Sequence, residues 1–218
     1  MKKQCIIIGL GRFGSSVCLE LARLGHDLLI IDQKEERVNA LRKYATHSAV
    51  VNAMDENALR SLGAGNVEQA VVAIGDDIHA SVLCTLLLKE LGISKVWVKA
   101  RDPQHRLILE RIGADRVIQP EHDMGIRIAQ NLDSEKIIDY IEISKDYSII
   151  EMAATEKADG KSLEQMEVRA KFHCMVLAVK RGEEVNLAPL PTDIIDKNDM
   201  LVVMGHRKDL KRFEEKGL

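Results

Sequence analysis

Six residues near the amino terminus carry the clearest chemistry in the chain. Gly9-Leu10-Gly11-Arg12-Phe13-Gly14 fits GxGxxG and lies between an apolar, strand-like run and the start of a helical pattern. Gly9 permits a tight turn, Gly11 lets a phosphate approach the main chain, and Gly14 lets the helix lie close to the sheet. The first-turn N–H groups, Phe13 among them, then face the anion. Asp32 closes the second strand-like run, where a carboxylate accepts both ribose hydroxyls and rejects a 2′-phosphate. Loop and carboxylate together predict a bound nucleotide. The adenosine and diphosphate parts of ATP and of NAD satisfy them equally.

Arg12 sits inside the loop, where a guanidinium reaches terminal phosphates of its own or a neighbouring subunit bidentately; the alternative is a solvated first-turn arginine. Further strand ends are expected at the same crevice: Asn52 to Asp55 after the third strand, Ala73, Ile74 and Gly75 after the fourth, Lys99, Ala100 and Arg101 after the fifth. Asp76 and Asp77 either join them or cap the helix that follows. Glu121 comes just past the sixth strand, in Gln119-Pro120-Glu121-His122-Asp123. A carboxylate beside a polyphosphate implies a bridging divalent cation; away from one, it is a helix N-terminal charge favoured by the macrodipole.

Those positions are set by alternating elements. Strands are predicted at residues 4–8, 27–31, 47–51, 69–74, 95–99 and 116–118, and helices at 13–24, 34–44, 56–61, 78–91 and 103–112, the last with Asp102 at its N-cap and Pro103 at its first position. This is an α/β pattern, a doubly wound parallel Rossmann sheet with helices on both faces. A helical run from 123 to 131 follows. The rhythm then becomes one of short strands at 140–143, 147–153, 175–179, 184–187 and 200–204, with short helices at 162–166 and 208–215. The expected organisation is a nucleotide-binding domain over 1–122, a connector over 123–138 and a small α+β domain over 139–218.

Composition limits the function. With 218 residues, 46% hydrophobic and 30% charged, the chain can bury a sizeable core, so wholesale disorder is excluded. Aromatics are 3% and the formal net charge is −3, which argues against base-stacking platforms and a basic nucleic-acid surface. Cys5, Cys18, Cys84 and Cys174 lie in apolar runs without a CxxC pair, and Met1-Lys2-Lys3 leads straight into a strand. A reducing cytoplasm is the expected compartment. Apolar runs such as 82–88 fall far short of the ~20 residues of a spanning helix, so any membrane connection is expected through a partner. Six of eight methionines, Met124, Met152, Met166, Met175, Met200 and Met204, fall in the second part or its connector, as core filling or as interface contacts.

The chemistry expected of an enzyme is missing. The seven histidines are scattered singly, no HExxH or GxSxG occurs, and some 80 residues of short strands make a poor substrate domain. A binding module is favoured. The alternatives are an NAD-linked oxidoreductase and a stand-alone NADH-sensing protein.

The runs Ile7-Ile8-Gly9-Leu10-Gly11-Arg12-Phe13-Gly14, Val72-Ala73-Ile74-Gly75, Leu88-Lys89-Glu90-Leu91, Val98-Lys99-Ala100, Arg111-Ile112-Gly113-Ala114-Asp115 and Pro120-Glu121-His122-Asp123-Met124 together resemble the RCK family, also called KTN or TrkA domains. Val168-Arg169-Ala170-Lys171-Phe172 and Val203-Met204-Gly205-His206 extend the resemblance over nearly the whole chain. It implies dimers assembling into an octameric ring that docks, as a cytoplasmic peripheral subunit, under a membrane-embedded potassium-translocating dimer. It also implies ATP or ADP in the crevice, with Arg12 on the phosphates, Asp32 on the ribose and Glu121 beside a cation such as Mg or Ca. In the second domain it implies an effector, cyclic di-AMP, at a two-fold interface through Val168, Arg169, Met175 and Pro191.

Overall fold

A computed structural model of the chain describes residues 2–133 and 137–218. Two compact units result, Met1–Glu121 and His122–Leu218.

In the first unit, six parallel strands alternate with helices: β1 (Gln4–Ile8), α1 (Arg12–Arg23), β2 (Asp27–Asp32), α2 (Glu35–Leu41), β3 (His47–Val50), α3 (Glu56–Ser61), β4 (Gln69–Val72), α4 (Ile78–Glu90), β5 (Lys95–Lys99), α5 (Pro103–Arg111) and β6 (Arg116–Ile118). The strand order is β3-β2-β1-β4-β5-β6. Successive connections leave β1 in opposite directions, so a crevice opens between the carboxyl ends of β1 and β4. Asp55, Asp77 and Asp102 cap α3, α4 and α5, each accepting from first-turn N–H groups, and Pro103 opens α5 as its fixed φ favours. Helix α2 is shorter than expected, the chain tightening into a 3-10 turn at Arg42–Tyr44.

The central strands are apolar on both faces because both are covered. Ile6, Ile8 and Ile31 pack with Leu59, Cys84 and Leu88 on one side. Cys5, Ile7 and Ile30 pack with Cys18 and Val38 on the other. All four cysteines are buried free thiols. Strand β5 differs from the two-sided expectation: Val96 and Val98 are buried while Lys95 and Trp97 are exposed. Trp97 instead carries Arg116 of β6 over its ring, 4.8 Å from the centroid.

Helix α6 (Pro120–Asp133) begins three residues before the expected 123, again with proline at its start. The second unit then forms β7 (Ile137–Glu142), β8 (Tyr147–Ala153), β9 (Lys161–Ser162), α7 (Leu163–Met166), α8 (Val168–Phe172), β10 (Met175–Arg181), β11 (Glu184–Leu187), β12 (Ile194–Ile195), β13 (Met200–His206) and α9 (Arg207–Lys216). Five strands make a sheet of order β11-β10-β13-β8-β7, antiparallel throughout, and β9 pairs with β12. Strict alternation along β8 and β13 buries Ile150, Met152, Leu201 and Val203 against Phe213 of α9, so one face of the sheet forms the core. Met152 and Met166 fill that core, whereas Met124 and Met175 are exposed. The sequence reading missed β9, β12 and α8. Helix α8 is five residues long and bounded by Glu167 and His173, both in the left-handed region, so it has no periodicity to detect.

Candidate functional site

Beyond Ile8 the chain must turn sharply, and only glycine serves. Gly9 has φ +92°, and a Cβ on it would stand 3.0 Å from the Ala73 carbonyl carbon. A Cβ on Gly14 would stand 1.9 Å from the Gly9 carbonyl oxygen, so Gly14 is buried behind the loop and closes helix against strand. Gly11 is the contrasting case: a Cβ there would meet nothing within 4 Å. Its freedom from side-chain atoms faces open space, the cradle a phosphate requires. Gly11 is also the N-cap of α1 and has no side chain to bond the first-turn N–H groups, leaving them to an external acceptor.

Asp32 ends β2 with its side chain 7% exposed. Oδ2 accepts from the Leu10 N–H at 2.7 Å and Oδ1 from the Lys34 N–H at 2.8 Å, with Arg37 Nη1 at 3.5 Å from Oδ2. Two backbone donors thus hold the carboxylate, and its remaining lone pairs are available to hydroxyls. Asn52 bridges two loops, its Oδ1 accepting from Gln33 Nε2 and the Met54 N–H.

These groups surround a cavity of ≈ 460 Å³ at the crevice. Gly9, Gly11, Arg12 and Phe13 form one wall; Asp32 and Asn52 the next; Ala73, Ile74 and Gly75 the floor between strands; Lys99 and Glu121 the far side. Gly14 lies behind the wall. Arg101 is not on it: that residue is exposed, its N–H donating to His105 Nδ1 at 3.1 Å. Asp76 and Asp77 both line the cavity, and Asp77 is also the α4 cap. Met54, in the run after the third strand, is on the wall as expected, whereas sequence reasoning missed Gln33, Lys34 and Arg37. A signal existed for Lys34, two residues past an aspartate whose side chain is apt to bond the N–H two residues on.

Lys99 Nζ bonds Glu121 Oε1 at 2.5 Å. That bond holds the Glu121 carboxyl below the usual carboxylate range, with help from its own backbone N–H and, at longer range, from Arg12. Among the described residues no group of three or more His, Cys, Asp or Glu side chains is placed to hold a metal ion. One carboxylate already answered by an ammonium does not make a divalent-cation site within a single chain.

In the second unit Val168 is part of the core, while Arg169, Met175 and Pro191 are exposed. The Arg169 carbonyl accepts from the His173 N–H and the Pro191 carbonyl from the Glu164 N–H. Among the described residues no helix is long and apolar enough to cross a membrane.

Residues 5–120 match the TrkA-N domain and residues 147–216 the TrkA-C domain. The chain is 54% identical over 216 residues to the Ktr system potassium uptake protein A of Bacillus subtilis, covering 99% of this chain and 97% of that protein. It is 42% identical over 218 residues to the Ktr system potassium uptake protein C of the same organism, covering 100% of this chain and 99% of that protein. Among solved structures, the GsuK RCK domain superposes with a TM-score of 0.68 at 15% identity, over 99% of this chain and 47% of that one, so this chain spans about half the GsuK chain. Two family models that together match most of the chain, and a relative 54% identical over nearly its whole length, show that this chain belongs to the TrkA-N/TrkA-C family.

Proposed function

We propose that this protein is the cytosolic nucleotide-binding regulatory subunit of a potassium uptake system, acting on a membrane-embedded potassium-translocating partner and not as an enzyme. The observation that carries the reading is the 54% identity, end to end, with a protein named for Ktr potassium uptake. The cavity supports it. Asp32 would take the ribose hydroxyls, the loop N–H groups the inner phosphates, and Arg12 with Lys99 the terminal phosphate charge. The bound nucleotide supplies charge, not a reacting bond.

ATP and ADP differ by one phosphate, and only a difference in how the protein's residues engage the two can shift a population between conformations. Arg12 is exposed at the loop mouth, where it can serve its own subunit or a neighbour in an octameric ring built from dimers. Ring shape then biases the partner's pore. In the second unit, Arg169 would hold a phosphate of cyclic di-AMP, with Met175 and Pro191 as apolar contacts and Val168 supporting them from the core. Because those three residues are exposed, a second copy's surface would have to close the site. That ligand would oppose ATP and hold transport closed.

The test is potassium transport in vesicles reconstituted with the membrane partner that co-purifies with the protein. Flux is expected to be higher with ATP than with ADP, and the difference to vanish in Arg12→Ala. An unchanged ATP response in that variant would remove Arg12 from the mechanism, and hydride turnover with NADH would replace the reading by an oxidoreductase.

A further inference from the structure

Arg12 and Lys99 both stand on the cavity wall, and the structure gives the second of them an internal counter-ion. Lys99 extends from the end of β5 alongside Gly75, where a Cβ would lie 3.4 Å from Nζ and 3.6 Å from Cε, in ordinary van der Waals contact. The ammonium then ends on Glu121 Oε1 at 2.5 Å. The two partners are unequal. The Lys99 side chain is 15% exposed, whereas that of Glu121 is 74% exposed and largely solvated. An ion pair with one member in water is weak and easily opened. The ammonium has three donors, and a phosphate with more than one negative charge offers it a better partner than a hydrated carboxylate.

We propose that Lys99 and Glu121 form an internal ion pair that competes with the terminal phosphates of a bound nucleotide for the Lys99 ammonium. Glu121 thereby restrains binding, most for the nucleotide whose terminal phosphates would use that ammonium and least for one too short to reach it. The inference deepens, and rests on, the nucleotide reading above. Exchange of partners also moves charge: Glu121, released at the first turn of α6, becomes an unneutralised carboxylate on the exposed rim. Arg12 adds a smaller through-space pull on the Glu121 carboxyl, after the Lys99 hydrogen bond.

The experiment is calorimetric titration of the full chain with ATP, ADP and AMP, in chelator so that no divalent cation occupies the carboxylate. Glu121→Gln is expected to tighten ATP about 3–10-fold, ADP less and AMP least, and Lys99→Gln to weaken ATP about tenfold. The decisive measurement is the double variant, in which the gain from Glu121→Gln should disappear. Lys99→Arg, which keeps the charge, should keep the gain, and a thermal melt establishes that each variant is folded. An equal gain with and without Lys99 would mean that Glu121 repels the ligand generally, and would overturn the proposal. So would an unchanged or weakened ATP affinity in Glu121→Gln. Failure of the wild-type chain to bind any of the three nucleotides is a separate outcome, and it would overturn the nucleotide reading together with this one.

Discussion

In the first unit most of the candidate ligand residues, though not Gly14 or Arg101, come together in one cavity within a single chain, from the ends of β1 to β5 and from Glu121 just past β6; in the second, Arg169, Met175 and Pro191 lie on the surface. The sheets explain the difference. Six parallel strands point their carboxyl ends the same way, so the loops that follow them converge on one edge, whatever residues they carry. Antiparallel strands alternate in direction, and their connections disperse to both ends of the sheet. The first fold thus builds a concave site by itself. The second leaves those residues, and Leu187 at 75% exposure on its edge strand, on the surface.

The largest expected effect tests how rigid each unit is at a crowded glycine. Gly14→Ala would drive a Cβ to 1.9 Å from a backbone oxygen, which cannot move without unseating the loop, and should cost about 3 kcal/mol and abolish nucleotide binding. Gly205→Ala would meet the Cys174 sulfur at 2.8 Å, a side-chain atom that can yield, and should cost about 1 kcal/mol. Denaturant unfolding of both variants decides; equal losses would remove the distinction between backbone and side-chain crowding.

Next in size are changes that spare the fold and remove a ligand contact. Gly11→Ala meets no atom within 4 Å, so stability should fall by no more than about 1 kcal/mol, the difference between the two residues at an N-cap. Nucleotide affinity should nevertheless fall at least about tenfold. Arg169→Ala should weaken cyclic di-AMP and leave nucleotide affinity as it was. Calorimetry with both ligands on both variants reads this directly, and loss of both ligands in either variant would show that the two sites are not separable.

The smallest effect is in acid. Burial holds the His105 imidazole below its ordinary range, Asp102 opposing and Arg101 adding to the shift. The unfolded chain therefore binds a proton below about pH 6.5 that the folded chain refuses, and stability should begin to fall there as pH drops. In the second unit the Arg181 fork, with Nε and Nη2 on the two Asp199 oxygens, holds that carboxyl below the usual range. Its contribution is present above about pH 4 and is lost as pH falls through the lowered value. Urea midpoints followed by Trp97, the chain's one tryptophan, should show the earlier limb, and His105→Gln should flatten it. Asp199→Asn should flatten only the limb below pH 4, read by circular dichroism.

The six strands of the first unit were readable as short, largely apolar runs alternating with helical patterns, and the strand-turn-helix setting located Gly9, Gly11 and Asp32. Other residues escaped. Arg101 follows the same strand as Lys99, yet its side chain is off the wall, since its N–H is drawn back to His105 at the start of α5. Lys34 and Arg37 reach the cavity from the loop after β2 and the first turn of α2, guided by Asp32. The exposed face of β5 was invisible too, because Lys95 and Trp97 within an apolar strand do not reveal whether a helix lies over them.

What the residues alone determined is local: which runs extend, where glycine is obligatory, which aspartates cap helices, and that a carboxylate ends the second strand. These follow from backbone sterics and short-range hydrogen bonding, which are properties of neighbours in sequence. Only the tertiary structure decided that Lys99 ends on Glu121, that Gly14 stands behind the wall while Gly11 opens onto it, and that Val168 belongs to the core while Arg169 does not. Those facts depend on which atoms, distant in sequence, compete for the same space or charge, and the order of strands in the sheet settles that competition.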